Sequence, residues 1–481
     1  YIRSILNIKG LAVGIDIGGT DVKLAVMKEG SKFPVILKEH VWNPQPKKFK
    51  DGQEFQKVIK ELLMLGLLAV SIDEEKNSSF ISLKPVIEIA LKDKNSSIEM
   101  IKAIIAYAKE IGVKIYPPSS IGISFPDITI DNKIVGGMTS KTKGMRDTLK
   151  EGYWDNFNTM VRPLGAIIAK AMAQEFNLQQ PVPTTVVNDG RIGSLWAATI
   201  LNKGRILNLA TGTSLGGGII DANGIIPKRM FNISYFVVFI GDENYKEFKH
   251  NELDIYGCGQ QLLSQDVVFT LAINNNIITA KPKEGTEAKA LEDIQKEYGN
   301  NPRVNDVFNK IGEYLALITA TTYYGAMKDV FDTNILFGRV VKGETGDILL
   351  KKAADVLEQF KEIIGQIRLE RASEIAKDKM SSEDAKKMNA LAQAVGTIYI
   401  GNAERLRIEG FGNPKASSAV SYGTYIWLQK DAHESKVVEI DRSSLSIQYP
   451  AQSAFPKDPL GLVSLEAEIP SIQNIYSPIN A

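Results

Sequence analysis

Leu11-Ala12-Val13-Gly14-Ile15-Asp16-Ile17, Gly18-Gly19-Thr20 and Val22-Lys23-Leu24-Ala25-Val26-Met27 read as a strand, a polar bend and a second strand, a hairpin. The two glycines let backbone N–H groups approach an anion, and the Thr20 hydroxyl adds a donor. Asp16, at the strand end, can hold Mg²⁺ through water, as that ion prefers beside nucleotide phosphates. The bland alternative is a plain Gly-Gly hairpin turn. A carboxylate just before the glycines favours the anion site, because it spends β-propensity for no packing gain.

The same pattern returns far along the chain. Arg205–Leu209 reads as a strand, and Thr211-Gly212-Thr213-Ser214-Leu215-Gly216-Gly217-Gly218 reads as a loop with four glycines and three hydroxyls. Ile219-Ile220 with Asn223-Gly224 then suggests another hairpin. That loop suits phosphate oxygens, or is a flexible surface loop. Two hairpins with polar, Gly-rich bends imply a duplicated α/β architecture with a site between its halves.

Between the hairpins, Lys47–Ile111 follows helical periodicity, with Ser96 and Glu99 at capping-box spacing. Strand Ile121–Phe125 ends at Pro126, and Val161, Leu164, Ile168 and Met172 line a further helix. Strand Thr184–Val187 runs into Asn188-Asp189-Gly190 before the helical run Ile192–Ala198. Asp189 is either a helix cap or a base that takes a proton from a hydroxyl attacking phosphorus. After the second hairpin the chain is expected to be largely helical, with strand Asn334–Phe337 and another helix ending near Trp427. Leu336-Phe337-Gly338-Arg339, leading into Gly343–Asp347, is a routine βα connection or a seat for the adenosine half of a nucleotide.

Composition narrows the class. The 481 residues carry 57 basic and 56 acidic side chains, a formal charge of +1, which disfavours a strongly basic nucleic-acid binder. The apolar stretches Leu62–Val70 and Ile233–Ile240 are too short for a membrane span, and no secretory signal pattern opens the chain. One cysteine, Cys258, and three histidines, His40, His250 and His433, exclude internal disulfides and disfavour a structural zinc. A reducing, cytoplasmic location is expected, with Cys258 as a buried small hydrophobe.

Asp16–Thr20, Asn188-Asp189, Thr211–Gly218 and the Gly338 segment follow in an order that resembles the phosphate-1, connect, phosphate-2 and adenosine motifs of the actin-like ATPase superfamily. Within it, the chain most resembles ROK proteins (repressor, open reading frame, kinase) and hexokinases, over roughly Leu11–Lys430. Ile121-Gly122-Ile123-Ser124-Phe125-Pro126 resembles the sugar-facing strand of hexokinases, and Thr142-Lys143-Gly144-Met145 their Thr-Lys-Gly-Phe segment. Asn223-Gly224 and Asn334–Asp347 are more similar to ROK kinases.

The resemblance implies an α/β, duplicated, ribonuclease H-like fold with two lobes around a central cleft. The expected domains are 1–190 and 191–435, with a tail, 436–481, of unknown placement. It implies ATP with Mg²⁺ and a hexose-like acceptor. Asp16 would organise Mg²⁺, while Gly18, Gly19, Thr20, Thr211, Gly212, Thr213 and Gly216 would cradle phosphates and Gly338 and Arg339 would adjoin adenosine. Asp189 would be the general base, and Ser124, Thr142, Lys143 and Asn188 would hold sugar hydroxyls. Lys143 reads equally as a solvated lysine in the basic stretch Lys141–Arg146. No nucleic-acid or membrane partner is expected; a homodimer is compatible with the family.

Two departures matter. ROK kinases carry a Gly-Glu-x-Gly-His segment that grips sugar and zinc, where this chain has Asn232-Ile233-Ser234-Tyr235-Phe236-Val237-Val238. The cysteine-rich zinc loop is replaced by Gly257-Cys258-Gly259-Gln260, with Gln260 where the family has a second sugar-binding glutamate. The alternatives to a sugar kinase are therefore a catalytically inactive sugar or nucleotide sensor and a ROK-type regulator.

Overall fold

The structure, a computed structural model, describes residues 6–18, 21–31, 34–41, 50–74, 78–137, 142–212, 214–222, 224, 233–235, 257–283, 286–323, 331–377, 392–408, 424–431 and 434–440. The chain forms two compact units. The first comprises Tyr1–Lys203, Asn223–Met230 and Ser373–Ser417; the second comprises Gly204–Ala222, Phe231–Ala372 and Ser418–Ala481. This partition differs from the expected lobes of 1–190 and 191–435, because the segments 191–203 and 373–417 go with the first unit.

The first unit is built on β1 (Leu11–Ile17), β2 (Asp21–Lys28), β3 (Ile36–Val41), β4 (Ser120–Phe125) and β5 (Thr184–Asn188), in the spatial order β3-β2-β1-β4-β5. β1 and β2 form the expected antiparallel hairpin, β3 pairs antiparallel with β2, and β4 and β5 continue parallel to β1. Every residue of β1 and β4 is buried, the mark of strands covered on both faces, whereas edge strand β3 alternates. Among the described residues, three α-helices fall within the expected helical stretch: α1 (Gly52–Glu74), α2 (Lys84–Lys92) and α3 (Ile98–Glu110). α1 packs on β2, and an ideal Cβ at its Gly66 would meet Leu24 at 2.8 Å and Val26 at 2.9 Å. The cap of α3 is Ser97, whose side chain accepts the Met100 N–H. The expected cap, Ser96, instead turns its hydroxyl to the carbonyls of Ala90 and Asp93. Helices α4 (Lys143–Leu149), α5 (Leu164–Glu175) and α6 (Asp189–Leu201) complete the layers before the chain leaves this unit.

The second sheet consists of β6 (Ile206–Thr211), β7 (Leu215–Ile220), β8 (Thr333–Gly338) and β9 (Arg368–Arg371), in the order β9-β8-β6-β7. β6 and β7 are antiparallel, and β8 and β9 run parallel to β6. This is the connectivity of β1, β2, β4 and β5 over again, so the duplication expected from the two hairpins is present in the topology. Helices α7 (Pro302–Thr321) and α8 (Gly343–Gln359) pack against one another in this unit. The bend between β6 and β7 is shorter than the expected loop Thr211–Gly218, because Gly216, Gly217 and Gly218 lie within β7. The missing side chain is used there: a Cβ on Gly217 would come within 2.7 Å of Ile233.

Helix α9 (Ala392–Ile408) belongs to the first unit and lies directly on β1 and β4. Its backbone comes so close that a Cβ on Gly122 would sit 1.7 Å from the Thr397 carbonyl oxygen. The helix expected to end near Trp427 is not there. Thr424–Asp431 is a strand paired antiparallel with Glu434–Ile440, as its β-branched and aromatic run Thr424-Tyr425-Ile426-Trp427 favours. The rest of the tail beyond Ile440 lies outside the described residues. Among the described residues, no helix is long and apolar enough to cross a membrane.

Candidate functional site

Parallel strands that end together bring their last residues side by side. In the first unit Asp16 of β1 stands in register with Ser124 of β4, and Phe125 with Asn188 of β5. Three residues chosen from separate motifs thus adjoin across the carboxyl ends of three parallel strands, where open α/β sheets bind ligands. The main-chain partners hold this alignment without help from side chains.

Asp16 is buried, 1% exposed, and the Ser124 hydroxyl donates to its Oδ1. Lys23 of β2 reaches Asp16 Oδ2 at 3.5 Å and Asp21 Oδ1 at 3.2 Å. Burial works against the Lys23 charge, yet the two carboxylates outweigh it and hold its pKa above the ordinary lysine value. With both oxygens of Asp16 already contacted, this carboxylate fits a hydrated Mg²⁺, whose water it can accept from, rather than direct ligation. Among the described residues, no cluster of three or more His, Cys, Asp or Glu could hold a metal ion. Gly18 closes the strand by donating its N–H to the Asp21 carbonyl at 2.8 Å. Gly19, Thr20, Thr213 and the side chain of Lys143 lie outside the described residues.

Asn188, not Asp189, caps α6. Its Oδ1 accepts the Gly190 N–H at 3.0 Å, and its Nδ2 donates to the Asp127 carbonyl at 3.0 Å. Asp189 is the first helical residue, half-buried, with Oδ1 accepting the same Gly190 N–H at 2.8 Å. Gln393 of α9 donates to the Asp189 carbonyl at 3.3 Å and so ties the turn from behind. The first turn of a helix is a favourable place for a carboxylate charge. Thr142 is 1% exposed and donates its hydroxyl to the Gly137 carbonyl at 2.8 Å.

Three charged residues near this set escape a motif-based reading. Lys23 resembles any strand lysine until its pairing with Asp16 is seen. Asp127 follows Pro126 at the strand end, a position that could have flagged it. It is 8% exposed, and burial, helped by the charge of Asp189, raises its pKa to about 6 against the N–H groups of Gly137 and Ile128 that favour its ionised form. Arg191, within the first turn of α6, is buried, which lowers its pKa to about 10. No sequence pattern distinguishes it from a solvated arginine.

The second unit repeats the arrangement. Thr211 at the end of β6 stands in register with Gly338 at the end of β8, so the expected phosphate-2 and adenosine motifs adjoin. The Thr211 hydroxyl donates to the Phe337 carbonyl at 2.8 Å, bracing the two strands. Gly338 has φ +104°, and a Cβ there would strike the Thr211 carbonyl oxygen at 2.0 Å, so both conformation and space demand glycine. Gly212 donates to the Ser214 carbonyl at 3.1 Å and accepts the Gln265 N–H at 2.8 Å, while Gly216 is the second residue of β7. Gln260 lies beside this bend, its Oε1 accepting the Leu215 N–H at 2.9 Å. Arg339 is exposed, and its carbonyl accepts from Gln295 at 3.1 Å. Cys258 is fully buried, and burial raises its thiol pKa, so it behaves as the small hydrophobe expected.

No protein-family model and no curated protein matches the sequence. Solved structures do match. A ROK-family transcriptional regulator, a homolog of the E. coli MLC protein, aligns with 83% of this chain and 82% of its own at 13% identity and a TM-score of 0.50. The ROK hexokinase from Thermus thermophilus aligns with 81% of this chain and 98% of its own, at 14% identity and a TM-score of 0.49. A ROK-family glucokinase from Streptomyces griseus, in complex with glucose and AMPPNP, aligns with 82% of this chain and 100% of its own, at 15% identity and a TM-score of 0.45. The duplicated α/β topology and the match to the regulator agree: this chain has the fold of that ROK-family structure.

Proposed function

We propose that the protein is an ATP-dependent sugar kinase that transfers the γ-phosphoryl group to a hydroxyl of a hexose-like acceptor. The observation that carries this reading is the alignment of Asp16, Ser124 and Asn188 across three strand ends, with Asp189 immediately beyond. Asp16 would accept from the water shell of Mg²⁺. Thr211, Gly212 and Gly216, with Gly18, Gly19, Thr20 and Thr213, would hold phosphates, and Gly338 and Arg339 would border adenosine. Ser124, Thr142, Lys143, Asn188 and Gln260 would meet acceptor hydroxyls. Mg²⁺–ATP, when bound, supplies the electrophilic phosphorus and neutralises part of the phosphate charge.

Asp189 takes the proton from the acceptor hydroxyl as its oxygen bonds to phosphorus. The bond from that phosphorus to the bridging oxygen breaks, and ADP leaves with the electron pair. Asn188 and Asp189 both accept the Gly190 N–H, through Oδ1 in each case, so Asp189 Oδ2 is the oxygen proposed to act as the base. Its carbonyl bond to Gln393 fixes the backbone that aims it.

A second reading is a sugar-responsive regulator without turnover. Gln260 favours it, since its carboxamide oxygen is spent on the Leu215 N–H where the ROK kinases' pattern has a sugar-binding glutamate. A coupled ADP-release screen over hexoses, N-acetylhexosamines and their derivatives separates the two. Sugar-dependent ADP release supports the kinase; sugar binding by calorimetry with no release supports the regulator.

A further inference from the structure

One carboxylate gathers the residues proposed to face the acceptor. Asp127 stands three residues beyond Ser124, past the end of β4. Its Oδ1 accepts the Ile128 N–H and its Oδ2 the Gly137 N–H, each at 2.6 Å. The Gly137 carbonyl in turn accepts three donors: the Thr142 hydroxyl at 2.8 Å, Arg146 Nη1 at 3.2 Å and the Tyr153 hydroxyl. Arg146 also donates to Thr142 Oγ1 at 2.7 Å, so the threonine is held from two sides. On its other flank the Asp127 main-chain carbonyl accepts Asn188 Nδ2 at 3.0 Å. The fit is tight: a Cβ on Gly136 would lie 1.8 Å from Asp127 Oδ1.

A single residue, Gly137, therefore connects Asp127 at its N–H to Thr142 at its carbonyl. Moving the carboxylate releases Gly137, and Thr142 loses its anchor. A buried aspartate is expensive to keep, and burial does push its proton affinity up.

We propose that Asp127 is a positioning residue for the acceptor, holding Thr142 through Gly137 and Asn188 through its own carbonyl. This rests on the sugar-site reading above. Asp127 touches no reacting atom; it acts through the groups it holds in place.

Two variants test it. Asp127→Asn keeps the size but turns an amide against one of the two N–H donors and removes the charge. Gly136→Ala keeps the charge and displaces the carboxylate. In both, kcat/KM for the acceptor is expected to fall by between about 10-fold and 10²-fold through KM, with KM for ATP within about twofold of wild type. A merely structural role lowers melting temperature or active fraction and leaves acceptor KM where it was; that result overturns the proposal. If wild type releases no ADP with any sugar, the kinase reading fails while calorimetry with the bound sugar decides this one. Affinity weakened at least about tenfold in both variants supports it, and unchanged affinity overturns it. A wild type that binds no sugar overturns both.

Discussion

Asp189 and Asn188 share a turn and divide its work. Because Asn188 makes the cap and an asparagine oxygen at 189 can still accept the Gly190 N–H, Asp189→Asn leaves the start of α6 satisfied, and the melting temperature is expected to stay within a degree or so. Turnover should fall by roughly 10²–10⁴-fold, the usual contribution of a general base, with ATP affinity retained. Steady-state kinetics beside a melting curve checks both halves. Two buried groups of the first unit pull stability in opposite directions with pH. Asp127 has its pKa raised from 3.8 to about 6 by burial, so the folded state holds more protons than the unfolded state in that window and this group favours acid. His40 has its pKa lowered from 6.5 to about 4, first by burial and then by Lys38, so the folded state holds fewer protons and this group disfavours acid. Asp127→Asn is therefore expected to lose stability more steeply than wild type between pH 6.5 and 4, read by melting temperature against pH; an unchanged slope contradicts the assignment. At this scale the sequence shows which residue types end each strand. It hides the pairing of Lys23 with Asp16 and the burial of Asp127 and Arg191, because those depend on which strands adjoin.

Helix α9 lies against β1 and β4 at backbone contact distance, and glycine is what allows it. Gly122→Ala places a methyl 1.7 Å from the Thr397 carbonyl oxygen, with backbone on both sides and no flexible side chain to yield. The expected cost is at or above the upper end of the roughly 1–3 kcal/mol typical of overpacking. Denaturant unfolding with an unchanged midpoint would show that α9 does not sit there. Ser97→Ala should cost about 1 kcal/mol as a lost cap, a loss that the same melt can detect. The first hairpin, β4, β5, β6 and β8 are legible in the sequence, since each is a short apolar run bounded by turn residues. Capping-box spacing misplaced the α3 cap by one residue, because two adjacent serines offer the same hydroxyl and only the path of the preceding turn chooses between them. The Gly-rich run after Thr211 looked like a loop, yet three of its glycines form β7, where the packing of Ile233 rather than local propensity decides. The Trp427 segment lies in a strand, as its own β-branched and aromatic residues favour, and not at the end of a helix.

The chain carries the same strand connectivity twice, and in each copy the functional candidates end parallel strands. Duplication was legible from the two hairpins alone; the return of α9 to the first unit was not, because nothing local marks a helix as belonging to a sheet encoded far earlier. The strand-end loops of each copy are proposed to meet phosphate. Millimolar ATP with Mg²⁺ is accordingly expected to raise the melting temperature by mass action, and a properly folded sample with no shift contradicts the phosphate assignments. The central claim, that this fold is used for phosphoryl transfer to a sugar, is tested most directly by ADP release measured across a panel of hexoses and N-acetylhexosamines. The account predicts that at least one sugar raises ADP release above the rate without sugar, and that Asp189→Asn abolishes the increase. Sugar binding with no sugar-dependent release in the wild-type protein would contradict it.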